Sequence, residues 1–480
     1  MAQGEHVTAA GDFGTRVRLA MADDHLRDAL DRATGLFTSR RSSAIATLEN
    51  ADAVRDAART ARLGALAHLA ENLERFEAKL LANGAQVHWA ETPDEANRIV
   101  AGIAAATRSR VAVKSKSMVS EETHLNAALE RDGVEVIETD LGEYIVQLAH
   151  DRPSHIIAPI IHMTRQDVGR VMEQQLHVPY TDETQQLAAT ARHRLRDAFL
   201  RADMGITGAN FGVVENGTIC LVTNEGNARM VTTLPRVHVV LMGIEKLVPR
   251  LADLDRCLKV LARSATGQKL TVYTTMIRGP RASGEADGPE ELHVVLLDNG
   301  RSRILAGETA EILACIRCGA CLNACPVYRT IGGHAYGDTY QGPVGAIITP
   351  GLRGLEAWRA LPDASSLCGA CREVCPVRID IPRMLLTLRG AATRAHPHPR
   401  SLAAAMRLYA WAATRPRLYR MVVRVGGWWL RRVSRDGWIR KAPGLAGAWT
   451  RTRDLRAPAV PNFQQRWQER QRQRRDSSPR

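Results

Sequence analysis

The sequence predicts an α/β domain, then an α-helical cysteine-rich module, then a basic helical tail. Three observations carry that reading. From Arg110 onward, short β-branched runs alternate with polar helical stretches, the pattern of a layered fold around a largely parallel sheet. Seven of the nine cysteines fall between Cys315 and Cys375. Between Arg400 and Arg480 there are 20 Lys/Arg against 4 Asp/Glu, whereas the rest of the chain has 45 against 47. The net charge of +14 therefore belongs to the tail, and so does any electrostatic argument about partners. A chain of 480 residues is long enough for two or three domains.

Residues 1–100 read as a helical segment, with an Ala/Leu/Arg/Glu-rich stretch from Ala51 to Leu81. Residues 101–298 read as the α/β domain. Strands are expected at Val111–Val113, Val134–Ile137, His155–Ile157, Gly212–Val222, Val237–Met242, Leu270–Tyr273 and His293–Leu297. Helices are expected at Gln166–Glu173 and Asp182–Arg201, and Arg281–Gly288 is an exposed loop by composition. Strand signals stop beyond Leu297, so residues 299–395 form the helical module. His396-Pro397-His398-Pro399 breaks the pattern and opens the C-terminal region, 396–480.

No apolar run reaches the ~20 residues that a membrane-spanning helix needs. Met1-Ala2-Gln3-Gly4-Glu5-His6 carries no basic patch followed by an apolar stretch, so no secretory signal is expected. The expected compartment is the cytoplasm, where thiols stay reduced and clustered cysteines bind metal more often than they pair.

The cysteines form two runs. The first is Cys315-x2-Cys318-x2-Cys321-x3-Cys325-Pro326, the second Cys368-x2-Cys371-x3-Cys375-Pro376. Three cysteines at three-residue intervals supply three corners of a cubane iron–sulfur cluster from one turn. The fourth, displaced by an extra residue and followed by proline, reaches the other cluster. Cluster 1 then takes Cys315, Cys318, Cys321 and Cys375, and cluster 2 takes Cys325, Cys368 and Cys371. Gly319 and Gly369 allow the backbone to approach the sulfides and donate N–H groups to them. The fourth ligand of cluster 2 would stand three residues before Cys368, where the chain has Ser365. Cluster 1 is thus expected to be [4Fe-4S]. Cluster 2 is [4Fe-4S] or [3Fe-4S], a four-iron form taking Ser365, water or a partner's ligand at its last iron. Four-cysteine zinc sites also use Cys-x2-Cys pairs, but require neither three cysteines in succession nor a Cys-Pro ending on both runs. Cys220 and Cys257 stand apart and read as buried structural thiols.

The α/β region carries no catalytic signature that can be assigned. Gly205-x2-Gly208-x3-Gly212 reads as a loop between a helix and a strand, opposite in order to the dinucleotide fingerprint. Lys114, Lys116, Asn210, Glu215, Asn224, Glu225 and Asn227 fall on strand ends and loops, where α/β sheets bind carboxylates or phosphates. His124, His155, His162 and His238 show no metal-ligand spacing and read as ordinary.

Six of the eight tryptophans (Trp411, Trp428, Trp429, Trp438, Trp449 and Trp467) share the tail with the charge excess. Interleaved Arg and Trp around Tyr419–Arg440 suit a partner interface first, and next an interfacial helix on the inner face of a membrane. Nucleic acid is the weakest reading, because no binding module accompanies the charge. Arg470–Arg480 is expected to lack fixed structure.

Several longer stretches resemble the lactate utilization protein B family. They are Lys114-Ser115-Lys116-Ser117-Met118, Glu138 to Ile145, Gly205 to Gly212, Thr223-Asn224-Glu225-Gly226-Asn227, the cysteine runs and a Phe463…Trp467 ending. The resemblance covers most of the chain. It implies an iron–sulfur electron-transfer subunit that works with companion subunits in oxidising L-lactate to pyruvate. It also implies an α/β part of the sugar-phosphate isomerase and CoA-transferase type. Ser365, within Ser365-Ser366-Leu367-Cys368, looks like that family's own pattern. The separation of over forty residues between the two runs is similar to that in the helical ferredoxins of succinate-dehydrogenase-like subunits. Two other classes fit parts of the sequence. One is a CoA-transferase- or isomerase-like enzyme with structural clusters, using Glu215 or Glu225. The other is a redox-sensing protein that binds through its tail.

Overall fold

The computed structural model describes residues 12–396, 400–442, 447, 450 and 453–476. They fall into two compact units, one ending at Arg394 and one beginning at Ala395.

The first unit opens with four helices, α1 (Phe13–Ala22), α2 (Asp24–Ala46), α3 (Ala51–Ala67) and α4 (Leu69–Ala82). Asp12 and Asp23 cap α1 and α2 by accepting from backbone N–H groups of the first turn. A six-stranded sheet follows, built from β1 (Gln86–Ala90), β2 (Val111–Lys114), β3 (Glu135–Glu138), β4 (Met204–Thr207), β7 (Val237–Gly243) and β10 (Glu291–Leu297). Its order is β1-β10-β7-β4-β2-β3, and every pairing is parallel. β7 is buried along its whole length, as expected of a central parallel strand covered on both faces. Its side chains alternate between two cores. Val239 and Leu241 pack with Val100 of α5 (Pro93–Ala106) and with Leu125 and Leu129 of α7 (Leu125–Arg131). Val240 and Met242 pack with Leu73 and Phe76 of α4. The short α6 (Met118–Thr123) follows β2, and α8 (Leu141–Leu148), α9 (Arg165–Leu176) and α10 (Thr184–Arg201) lie between β3 and β4.

A smaller sheet, β8-β5-β6-β9, is inserted after β4: β5 (Phe211–Val213), β6 (Thr218–Thr223), β8 (Leu247–Val248) and β9 (Tyr273–Ile277). Helices α11 (Asn227–Thr233) and α12 (Leu251–Ala265) accompany it. The cysteine module holds α13 (Arg301–Leu305), α14 (Ala320–Ala324), α15 (Pro326–Ile331), α16 (Gly342–Arg353), α17 (Ala370–Val374) and α18 (Ile381–Ala395). This module shares one hydrophobic core with α2, α3, α12 and the smaller sheet.

Five expectations about the first unit are corrected. The N-terminal hundred residues are not purely helical, because β1 pairs with β10 at the sheet edge. Gly212–Val222 is a hairpin, not one strand: the chain reverses at Asn216-Gly217, where Gly217 has φ +73°. The expected strand Leu270–Tyr273 is displaced to Tyr273–Ile277. His155–Ile157 forms a turn, since the His155 ring accepts from the N–H groups of Ile157 (3.0 Å) and Ala158 (3.1 Å) that a ladder would need. Gly205 lies within β4 and Gly212 within β5, so the loop Gly208–Asn210 follows a strand, not a helix, and stands at the carboxyl edge of the sheet.

The second unit holds α19 (Arg400–Ala413), α20 (Pro416–Arg432), a short hairpin of β11 (Trp438–Ile439) with β12 (Leu455–Arg456), and α21 (Phe463–Asp476). The hairpin adds strands beyond Leu297. Residues 470–476 continue α21, where no fixed structure was expected. Among the described residues no helix is long and apolar enough to cross a membrane.

Candidate metal centre

The two cysteine runs fold alike. In each, two residues two positions apart take positive φ, Arg317 (+58°) and Gly319 (+73°) in the first and Leu367 (+56°) and Gly369 (+87°) in the second. A five-residue helix follows each glycine, α14 and α17, and carries the next cysteine. The left-handed non-glycine positions cost about 1–3 kcal/mol each. A residue ladder was thus legible as spacing, and the structure supplies the turns that make the spacing converge.

The thiols gather in two sets. Cys318 and Cys321 are pushed up by burial and by repulsion from Cys315 and Cys375. Cys371 is pushed up to about 12 by burial and by Cys325, with Cys368 adding to it. Cys315, Cys318, Cys321 and Cys375 enclose one small void together with Ile156, Arg317 and Val344. Backbone N–H groups already point at sulfur: Arg317 N to Cys315 Sγ (3.4 Å), Tyr328 N to Cys325 Sγ (3.5 Å) and Ile379 N to Cys375 Sγ (3.4 Å). Buried thiolates facing one another need a cation between them, and thiolates are the donors iron takes. The donor sets fit iron–sulfur clusters. The second set is the more open one, with Cys368 exposed and its thiol held below the usual value by the Ala370 N–H and Ser366. Ser365 is half-buried, and its Oγ accepts from Leu367 N at 3.1 Å.

Arginines from the N-terminal helices hold the strands of chain that carry these thiols, a role sequence reasoning missed. Arg55, Arg59 and Arg62 recur at four- and three-residue steps on one face of α3. Arg55 donates to the carbonyls of Glu373 (2.6 Å) and Cys375 (2.8 Å), and Arg59 to Arg378 O (2.7 Å). Arg62, fully buried, donates to Leu313 O (3.0 Å) and Ala314 O (3.3 Å). Arg41 of α2 donates to Val374 O (2.7 Å).

A buried ionic chain ties the first cysteine loop to the large sheet. Arg317 meets Glu245 (3.3 Å), Glu245 meets Arg301 (2.6 Å), and Arg301 is bidentate to Glu122, which also accepts from Tyr340 (2.7 Å). Burial pushes the Glu245 carboxyl up, but Arg301, Lys246 and Arg317 outweigh it and hold it at about 2.

The polar residues singled out in the α/β region separate. Lys114 is fully buried and bonded to Ser120, Glu121 and Glu138, a structural role. Glu215 accepts from Leu251 N (3.0 Å) and caps α12. Lys116, Asn210, Asn224, Glu225 and Asn227 come together on one crevice of about 330 Å³, joined by Lys246 and Arg317, which the sequence did not suggest. His162 is not isolated: it meets Asp151 at 3.0 Å, beside His334, whose Nε2 donates to Arg152 O (2.7 Å). His238 meets Thr207 (2.9 Å), and Cys220 and Cys257 are buried with raised thiol values.

Residues 73–297 match the LUD domain, residues 311–379 the 4Fe-4S dicluster domain, and residues 387–472 the C-terminal domain of lactate utilisation protein B. The chain is therefore an iron–sulfur protein in which an α/β LUD domain with a parallel sheet precedes a dicluster domain. It belongs to the lactate utilization protein B family. It is 43% identical over 462 residues to lactate utilization protein B of Shouchella clausii, covering 96% of this chain and 97% of that one. It is 43% identical over 459 residues to that of Anoxybacillus flavithermus, covering 94% and 96%. A protein of Escherichia coli K12 described as an uncharacterized electron transport protein is 43% identical over 419 residues, covering 87% and 88%.

Proposed function

We propose that this chain is the iron–sulfur electron-transfer subunit of an assembly that oxidises L-lactate to pyruvate. The observation that carries the reading is the convergence of seven cysteines, five of them buried, as two sets in a chain whose relatives are named for lactate utilization. Cys315, Cys318, Cys321 and Cys375 hold a [4Fe-4S] cluster. Cys325, Cys368 and Cys371 hold a [4Fe-4S] or [3Fe-4S] cluster. When bound, the clusters supply one-electron storage, and lactate oxidation releases two electrons and two protons. The chain's own residues exclude water from the first set, donate N–H groups to its sulfurs and clamp both runs through α2 and α3.

The α/β part is of the sugar-phosphate isomerase and CoA-transferase type. The chain reads as residues 1–100, 101–298, 299–395 and 396–480; the ranges of the family matches support the boundary near 298 and a separate C-terminal region, but the LUD match starts at residue 73, inside the first segment. The chain works in the cytoplasm with companion subunits, and the tail is their docking element. In support, α20 buries none of its residues and exposes Met421, Val425, Trp428 and Trp429 between arginines. Contact with an anionic membrane is the second reading of that face.

The test is the visible spectrum of the anaerobically purified chain with its companions as L-lactate is added. Bleaching of the broad iron–sulfur absorbance is expected. An unchanged spectrum with active companions would overturn lactate as the donor and leave the clusters standing.

A further inference from the structure

Parallel sheets offer ligand sites at the carboxyl ends of neighbouring strands whose connections leave in opposite directions. In this sheet β2 leads to β3 on one side, whereas β4 leads toward β7 on the other. The crevice sits there. Ser115, Lys116 and Ser117 enter it from the end of β2, Gly208 to Asn210 from the end of β4, and Lys246 from the turn after β7. The two central loops are close: a Cβ on Gly208 would lie 2.7 Å from Ser117 Oγ.

Three cations line this crevice, and each lacks part of its complement. Lys116 Nζ is buried with no hydrogen-bond partner, and its nearest carboxylate, Glu143, is 3.9 Å away. Lys246 is 7% exposed, makes no ion pair among the described residues, and is pushed down to about 7 by burial and by Arg317, a cost a bound anion would offset. Arg317, 8% exposed, spends Nη2 on Glu245 and leaves Nη1 without a partner. The two acids on the wall, Asp140 and Glu225, are turned to backbone N–H groups at the start of α8. Burial and the neighbouring Asp140 push the Glu225 carboxyl up to about 7, and burial pushes Glu143 up to about 8, which lessens the negative charge opposing the cations. Buried basic groups with incomplete counter-charge and unpartnered donors are costly and favour an anion.

Among the polar residues of the wall, such as Asn210, Asn224 and Asn227, stands an apolar patch of Met118, Ile156, Leu221 and Leu261. Ile156 and Arg317 also line the void enclosed by Cys315, Cys318, Cys321 and Cys375, so one layer of side chains separates crevice and cysteines.

We propose that this crevice binds a small organic carboxylate, its charged end held by Lys116, Lys246 and Arg317 and its carbon body against the apolar patch. The choice of a 2-hydroxy or 2-oxo acid as occupant rests on the lactate reading above. A cavity of this charge and lining takes an amphiphilic anion in preference to inorganic phosphate.

The test is isothermal titration calorimetry of the anaerobically purified full-length chain with L-lactate, with pyruvate and with inorganic phosphate. One carboxylate is expected to bind with a stoichiometry of one, and Lys116→Gln and Lys246→Gln to weaken it at least tenfold with iron content and visible spectrum unchanged. Lys116 makes no hydrogen bond and only a long ion pair, 3.9 Å to Glu143, so its replacement disturbs little and keeps the test valid if the Lys246 variant fails to fold. Binding equal in wild type and Lys116→Gln would overturn the proposal, as would binding of phosphate alone or of none of the three. Carboxylate binding that depends on Lys116 without bleaching by lactate would sink the lactate relay and spare the site. Bleaching by lactate with variant-insensitive binding would do the reverse.

Discussion

Cys318 sits 6% exposed in the middle of the first run, repelled by Cys315 and Cys375. Cys318→Ala removes a corner of the first cluster, so iron per chain should fall by about half while the α/β domain stays folded. Iron analysis and circular dichroism check this, and unchanged iron would refute the ligand set. Ser365 poses the opposite case. Its oxygen is spent on Leu367 N, so Ser365→Ala should leave iron content nearly unchanged. A loss of iron in that variant would make Ser365 a ligand. At this scale the cysteines were legible because cluster ligation fixes their spacing. Lys246 and Arg317 were not, because nothing local relates a turn after β7 to a residue between two cysteines.

Among the elements, α3 contributes most to the metal centre without supplying a ligand. Arg62 is fully buried and meets carbonyls of Leu313 and Ala314, so Arg62→Met strands buried acceptors at about 1–3 kcal/mol each. Arg59 is 30% exposed on its side chain, and Arg59→Met should cost about 1 kcal/mol. Urea midpoints of the two variants test the difference; equal midpoints would remove the clamp argument. The central strands β2, β7 and β10 could be read in advance as short, buried apolar runs, whereas β4 could not, because Met204-Gly205-Ile206-Thr207 follows α10 closely and reads as the start of a glycine loop. β1 escaped notice because Gln86-Val87-His88-Trp89-Ala90 is an edge strand of mixed character directly after a long helical stretch. The β5–β6 hairpin did carry a signal, Asn216-Gly217, but the apolar residues around it read as one continuous run.

At the scale of the whole molecule, the chain Arg317–Glu245–Arg301–Glu122 joins the large sheet to the cysteine module. Glu245 ionises near 2 when folded, below its ordinary value near 4.5. Its stabilisation is therefore complete above about pH 4.5 and lost as pH falls toward about 2. Urea unfolding from pH 6 to pH 2.5 should show a steeper acid loss in wild type than in Glu245→Gln; parallel curves would exclude this seam as the cause. In the tail, Trp428→Ala with Trp429→Ala should lower co-purification with companion subunits and leave iron content alone. Retained association with loss of vesicle binding would favour the membrane instead. The two cysteine sets also differ in position: one is walled in beside the crevice, and the other comes to the surface at Cys368. That asymmetry gives the molecule a polarity. In the proposed relay, charge entering from the crevice would leave through the exposed face around Ser366, Cys368 and Arg372, where an acceptor would dock.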